Sequence, residues 1–105
     1  MAFNGKEGEI VTLSDAAGWT EAYRNTIQQG VRIAHFFGRE KLEAILDQED
    51  CMGIRIYHGL DENGKKVLVL VGAKADENDM VDGVIVEKSI ACPSKCSQNN
   101  RLNSK

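Results

Sequence analysis

Asn63-Gly64 divides two apolar runs, and no other feature limits the fold of this chain as strongly. Residues 53–60 read Gly-Ile-Arg-Ile-Tyr-His-Gly-Leu, and residues 66–72 read Lys-Val-Leu-Val-Leu-Val-Gly. Asn-Gly suits the two positive-φ positions of a type I′ turn, so the stretch is expected to fold as a β-hairpin. With Asn63 and Gly64 as the central turn residues, Ile56 is expected opposite Val71, His58 opposite Val69 and Leu60 opposite Val67. Tyr57 then faces Leu70, Gly59 faces Leu68 and Arg55 faces Gly72. Opposed residues share a face of the sheet. One face would carry Ile54, Ile56, His58, Leu60, Val67, Val69 and Val71, an apolar set that belongs to a core. The other would carry Arg55, Tyr57, Leu68 and Leu70, a half-apolar set. Residues 67–71 then read as a central strand with cover on both sides.

Size and charge narrow the class. A chain of 105 residues is expected to be one domain with one modest core, flanked by flexible tails at 1–8 and 97–105. Net charge is −3, which argues against nucleic acid or an anionic membrane as a partner held by a basic field. The longest purely apolar run, residues 67–71, is far short of the ~20 residues of a membrane-spanning helix. Residues 1–8 lack the apolar core of a signal peptide. The expected location is cytoplasmic. Three cysteines give no even framework and are expected to be mostly thiols there.

Along the chain, residues 9–13 suit a short strand or an extended entry. Ser14 suits an N-cap and Asp15 the first turn of a helix. Ala16, Trp19, Tyr23 and Ile27 recur at spacings of three and four, so this helix is expected to bury that stripe and to end near Gly30. A second helix is expected over about 38–48, with Leu42, Ile45 and Leu46 inward and Arg39 paired to Glu43. A third strand over 84–88 should pair on the far side of the hairpin, stopped by Cys92-Pro93. The expected class is α+β: two helices packed on a three- to four-stranded antiparallel sheet.

Four groups can carry chemistry. Cys92 and Cys96 flank Pro93-Ser94-Lys95; the pair can close a disulfide or offer two metal ligands, and Lys95 would favour a thiolate. Structural zinc wants four ligands, and there is no second cysteine pair. His58, on the expected core face, and His35, between Ala34 and Phe36, are candidate polar sites: a general base, or a histidine with a satisfied hydrogen bond. The acidic loop Asp76-Glu77-Asn78-Asp79 lacks the calcium-loop spacing, since Met80 and Val81 stand where a ligand and a glycine are needed. It reads as a solvated loop. Arg55, Tyr57, Leu68 and Leu70 form a candidate interface if nothing covers them. No phosphate loop, nucleophile elbow or His-Glu-x-x-His helix is present, and no pattern calls for a cofactor.

Several stretches together resemble a group of small uncharacterised bacterial proteins. They are His35-Phe36-Phe37-Gly38-Arg39-Glu40, Gly53-Ile54-Arg55-Ile56-Tyr57, Leu68-Val69-Leu70-Val71-Gly72, the Asn78-Asp79 loop and the Cys92-Pro93 ending. The resemblance spans about residues 14–96 and implies bacterial origin and a self-contained domain. It brings no activity and no catalytic residue with it.

Three functions follow as expectations. The first is a non-catalytic module that binds a protein partner or associates with itself. The second is a thiol redox or metal-binding protein using Cys92 and Cys96. The third is a small enzyme with a histidine base. The balance of residues leans away from an enzyme and toward the first.

Overall fold

The computed structural model describes residues 2–104. In chain order it contains helix α1 (Leu13–Arg24), strand β1 (Ala34–Phe36), helix α2 (Arg39–Leu46) and strands β2 (Cys51–Leu60), β3 (Lys66–Lys74), β4 (Ile85–Val86) and β5 (Ile90–Cys92). The class is α+β, as expected. The strands form two antiparallel sheets: three strands in the order β2-β3-β4, and a separate pair, β1-β5. The chain divides into two compact units, residues 1–8 with 37–89, and residues 9–36 with 90–105.

The first unit is built on the β2–β3 hairpin, and its register differs from the expected one by a single residue. Ile56 pairs with Leu70, His58 with Leu68, Leu60 with Lys66, Arg55 with Val71, Tyr57 with Val69 and Gly59 with Val67. The cause is the turn. Asp61 Oδ1 accepts from the backbone N–H of Asn63 (2.8 Å) and of Lys65 (2.9 Å). The Gly64 N–H donates to Asp61 O, and the Asp61 N–H to Lys65 O. Only Gly64 of the Asn-Gly pair has a positive φ, +76°. The loop therefore has three residues, a type I turn closed by a left-handed glycine, instead of the two of a type I′ turn. One extra loop residue moves every partner by one and exchanges the faces.

Ile56 and Val71 thus lie on opposite faces. The core face of β3 carries Leu68 and Leu70, and β2 adds Ile54 from the same side. α2 supplies Ile45, fully buried, which packs with Leu70 and Val86, while Phe37, Leu42, Cys51, Ile54 and Leu68 close around them. Gly38 caps α2 with an extended backbone, and Arg39 lies 3.9 Å from Glu43, as expected. Leu46, expected inward, is exposed, because Leu42 and Ile45 already fill the one face that α2 presents. β4 pairs with β3 through Leu70–Val86 and Val71–Ile85, which makes β3 the central strand and β2 an edge.

Gln48, just past α2, ties that core together. Its Nε2 donates to Ile45 O (2.9 Å), and its Oε1 accepts from Val84 N (2.8 Å). A Cβ added at Gly83 would fall on Gln48 Oε1 and displace it from its bond to Val84 N.

The second unit holds α1 and the β1-β5 pair. Thr12, not Ser14, caps α1: its Oγ1 accepts from Asp15 N (3.1 Å), and residues 9–12 are not a strand. The helix ends at Arg24, well before Gly30, which has φ +92° in the following turn. Trp19 and Tyr23 are exposed, at 63% and 38%. Ala16 and Ile27 of the expected stripe are half-buried, and the remaining sheltered positions of the helix are Ala17, Thr20 and Arg24. The polar ones among them are satisfied, Thr20 Oγ1 by Ala17 O and Arg24 Nη1 by Leu102 O (2.7 Å).

Ile45→Ala is expected to cost about 2–5 kcal/mol, because the site is sealed on all sides and cannot collapse. Gly64→Ala should cost about 1 kcal/mol, because alanine resists the left-handed turn. Urea unfolding followed by the strand signal in far-UV circular dichroism measures both, and the order Ile45 above Gly64 is the expected result.

Candidate functional site

The face of β2 opposite α2 carries Arg55 and Tyr57, two residues apart on one strand and therefore side by side. β3 backs them with Val71 and Val69. After β3 the chain turns tightly: Glu77 N donates to Lys74 O, Lys74 N to Asn78 O, and Met80 N to Gly72 O. Glu77 takes the left-handed position at φ +74°, the place Gly64 fills in the first hairpin. This turn brings Asp79 back beside Ala73 and over the sheet.

Asp79 then binds both neighbours. Arg55 Nη1 donates to its Oδ1 at 2.5 Å, and the Tyr57 hydroxyl donates to its Oδ2 at 2.5 Å. Arg55 Nη1 also donates to Glu77 O (3.1 Å). The two hydrogen bonds hold the Asp79 carboxyl below its ordinary range, Tyr57 contributing first and then Arg55, while partial burial works against them. The bond to Asp79 in turn raises the Tyr57 phenol and the Arg55 guanidinium. A phenol shifted upward stays protonated near neutrality and is a poor base or nucleophile there. The cluster holds groups in place and marks a surface.

The segment 2–8 completes the site. Phe3 N donates to Ala75 O (2.8 Å), which sets the Phe3 ring 5.4 Å from the Arg55 guanidinium carbon, a cation–π distance. Glu7 accepts from the backbone of Asn4 and Gly5, and the Asn4 contact leads in lowering its pKa. Phe3, Glu7, Met52, Ile54 and Arg55 line a half-open cavity of about 340 Å³.

The candidate residues from the sequence separate as follows. Arg55 and Tyr57 share this face, but Leu68 and Leu70 lie on the other, and Leu70 is buried in the core. The one-residue shift divides that set. His58, expected on a core face, is an exposed residue opposite Leu68. His35 is half-buried in β1, opposite Ala91. Cys92 and Cys96 are joined in a disulfide, while Cys51 is a free thiol whose Sγ approaches Gly53 O at 3.2 Å. Among the described residues no group of three or more His, Cys, Asp or Glu side chains could hold a metal ion. None of the described helices is long and apolar enough to cross a membrane.

Sequence reasoning missed Asp79 and Phe3. Asp79 stood in an acidic loop that reads as solvated, and only the turn at Glu77 brings it beside Ala73 and onto Arg55 and Tyr57. Phe3 carried no signal, since nothing in residues 1–8 marks where they dock. No protein-family model, curated protein or solved structure matches the chain.

Tyr57→Phe tests the cluster through pH. Asp79, lowered on folding, stabilises above the unfolded carboxylate value of about 3.9, and that contribution is lost as pH falls through its lower folded value. Tyr57, raised on folding, stabilises below about pH 10, and that contribution is lost as pH climbs through its higher folded value. The stability gap between wild type and Tyr57→Phe should therefore be widest in the neutral range and narrow at both extremes, read from urea midpoints across pH. A gap that does not change with pH contradicts the Tyr57–Asp79 bond.

Proposed function

We propose that the chain is a non-catalytic assembly module that works by adding a strand to the free edge of β2. One observation carries this reading. β2 is ten residues long and, among the described residues, pairs with a strand on one side only. In the hairpin, Asp61 N bonds Lys65 O, so the narrow hydrogen-bonded pairs fall on odd positions of β2. The backbone groups of Ile54, Ile56, His58 and Leu60 therefore point away from β3. A row of such groups is a template for another strand.

Side chains on this edge do little to prevent pairing. β2 has no lysine and no proline, the residues that usually protect an edge, and its one arginine is engaged by Asp79. Ile56 is 53% exposed and Leu60 70%. These are the apolar contacts an added strand would cover, with main-chain bonds supplying affinity. A second copy of the chain is the occupant we favour, β2 against β2 and antiparallel. A two-fold axis lets one edge satisfy itself, and Ile56 and Leu60 then meet the same apolar set across the axis.

Solution mass across a dilution series tests the proposal. Wild type should pass from dimer to monomer on dilution, and Ile56→Lys should stay monomeric at every concentration, with a urea midpoint equal to wild type's only at dilutions where wild type is itself monomeric. A wild type that is monomeric at its highest soluble concentration contradicts it.

A further inference from the structure

The disulfide sits in the second unit, and its surroundings are not those of an inert staple. Cys92 ends β5, pairs with Ala34 and is 5% exposed. Its carbonyl accepts from Ile33 N (2.8 Å). Cys96 lies on an exposed loop four residues later. The loop is held by Lys95 N donating to Ala91 O (3.0 Å). One sulfur is thus anchored in a sheet and the other offered to solvent.

Both sulfur-bearing residues line one cavity of about 520 Å³. Its walls include Ile33, Phe36, Ile90 and Leu102, with His35 and Lys95 as the titratable members. Phe36 and Ile90 are more than half exposed, so the apolar wall is open to an incoming group. We propose that Cys92 and Cys96 form a thiol–disulfide exchange site for thiols carried on an apolar group.

The chemistry balances in two steps. The substrate thiolate attacks the Sγ of Cys96 in line with the S–S bond. A new S–S bond forms between substrate and Cys96, the Cys92–Cys96 bond breaks, and its electron pair leaves on Cys92 as a thiolate. Lys95, on the same cavity wall, supplies a positive charge that favours that leaving group. A second thiol of the same class then attacks the substrate sulfur of the mixed disulfide and releases Cys96 as a thiolate. Two substrate thiols are oxidised to one disulfide, and the protein takes up the two electrons as two cysteine thiols. Cys96 is thus the attacked sulfur, and Cys92 is the sheltered leaving thiolate. The site lies apart in sequence from β2, so neither proposal depends on the other.

The test uses the oxidised full chain with two probes, benzyl mercaptan and reduced glutathione. The oxidised pentapeptide Cys-Pro-Ser-Lys-Cys is the control, the same ring without the cavity. Freed thiols are trapped by alkylation and located by peptide mapping. The mixed disulfide is expected on Cys96. The protein should favour benzyl mercaptan over glutathione by about tenfold more than the peptide does, the scale of sheltering one aromatic ring from water. Ala34→Trp, which narrows the cavity, should reduce that margin toward the peptide's value. An adduct on Cys92, an equal split between the two sulfurs, or the same preference in protein and peptide overturns the proposal. If Ala34→Trp does not fold, the comparison of wild type with peptide decides alone.

Discussion

The carboxylate of Asp61 fixes more of this structure than any buried side chain. By accepting from the N–H groups of Asn63 and Lys65 it selects a three-residue loop, and the loop selects the register. Strand side chains alternate, so the register decides which residues meet α2 and which lie on the opposite face, where Val67, Val71 and Ala73 are buried as well. Leu68 and Leu70 enter the core because of it, and Arg55 and Tyr57 are left together on the other side. Hydrophobicity alone does not settle that choice. The alternative pairing would have placed Val67, Val69 and Val71 inward, an equally apolar set.

Once the register is set, the remaining contacts follow with little freedom. Leu70 meets Ile45 and Val86, and the fully buried Ile45 fixes α2 against the sheet. Gln48 then spans from the end of α2 to the approach to β4. On the opposite face a second three-residue turn, with Glu77 in the glycine place, delivers Asp79 onto Arg55 and Tyr57. The two turns have the same backbone pattern, and each positions an aspartate that satisfies several donors at once. Polar bonds here choose between arrangements that burial leaves nearly equal.

Much of this was legible in the sequence, and the failures have physical causes. The hairpin, α2, the Arg39–Glu43 pair and β4 beside β3 all follow from periodicity and turn residues. The register failed because Asn63-Gly64 was read without Asp61, two residues earlier, which competes for the same turn. That single omission carried the candidate interface with it, splitting Arg55 and Tyr57 from Leu68 and Leu70. The middle of the α1 stripe departs for a different reason. Trp19 and Tyr23 are apolar enough to look inward, but Thr20 and Arg24 are satisfied by hydrogen bonds and take the sheltered side instead. The sequence left Cys92 and Cys96 open between ligands and a disulfide, and spacing could not choose.

Cross-strand contacts between α-protons test the account most directly, because in an antiparallel ladder they are close only across non-hydrogen-bonded pairs. The account predicts strong contacts between Ile56 and Leu70 and between His58 and Leu68, with the Asn63 and Lys65 amides shielded by Asp61. Contacts between Ile56 and Val71, or between His58 and Val69, would contradict it and remove the basis for both the Arg55–Tyr57–Asp79 cluster and the open edge of β2.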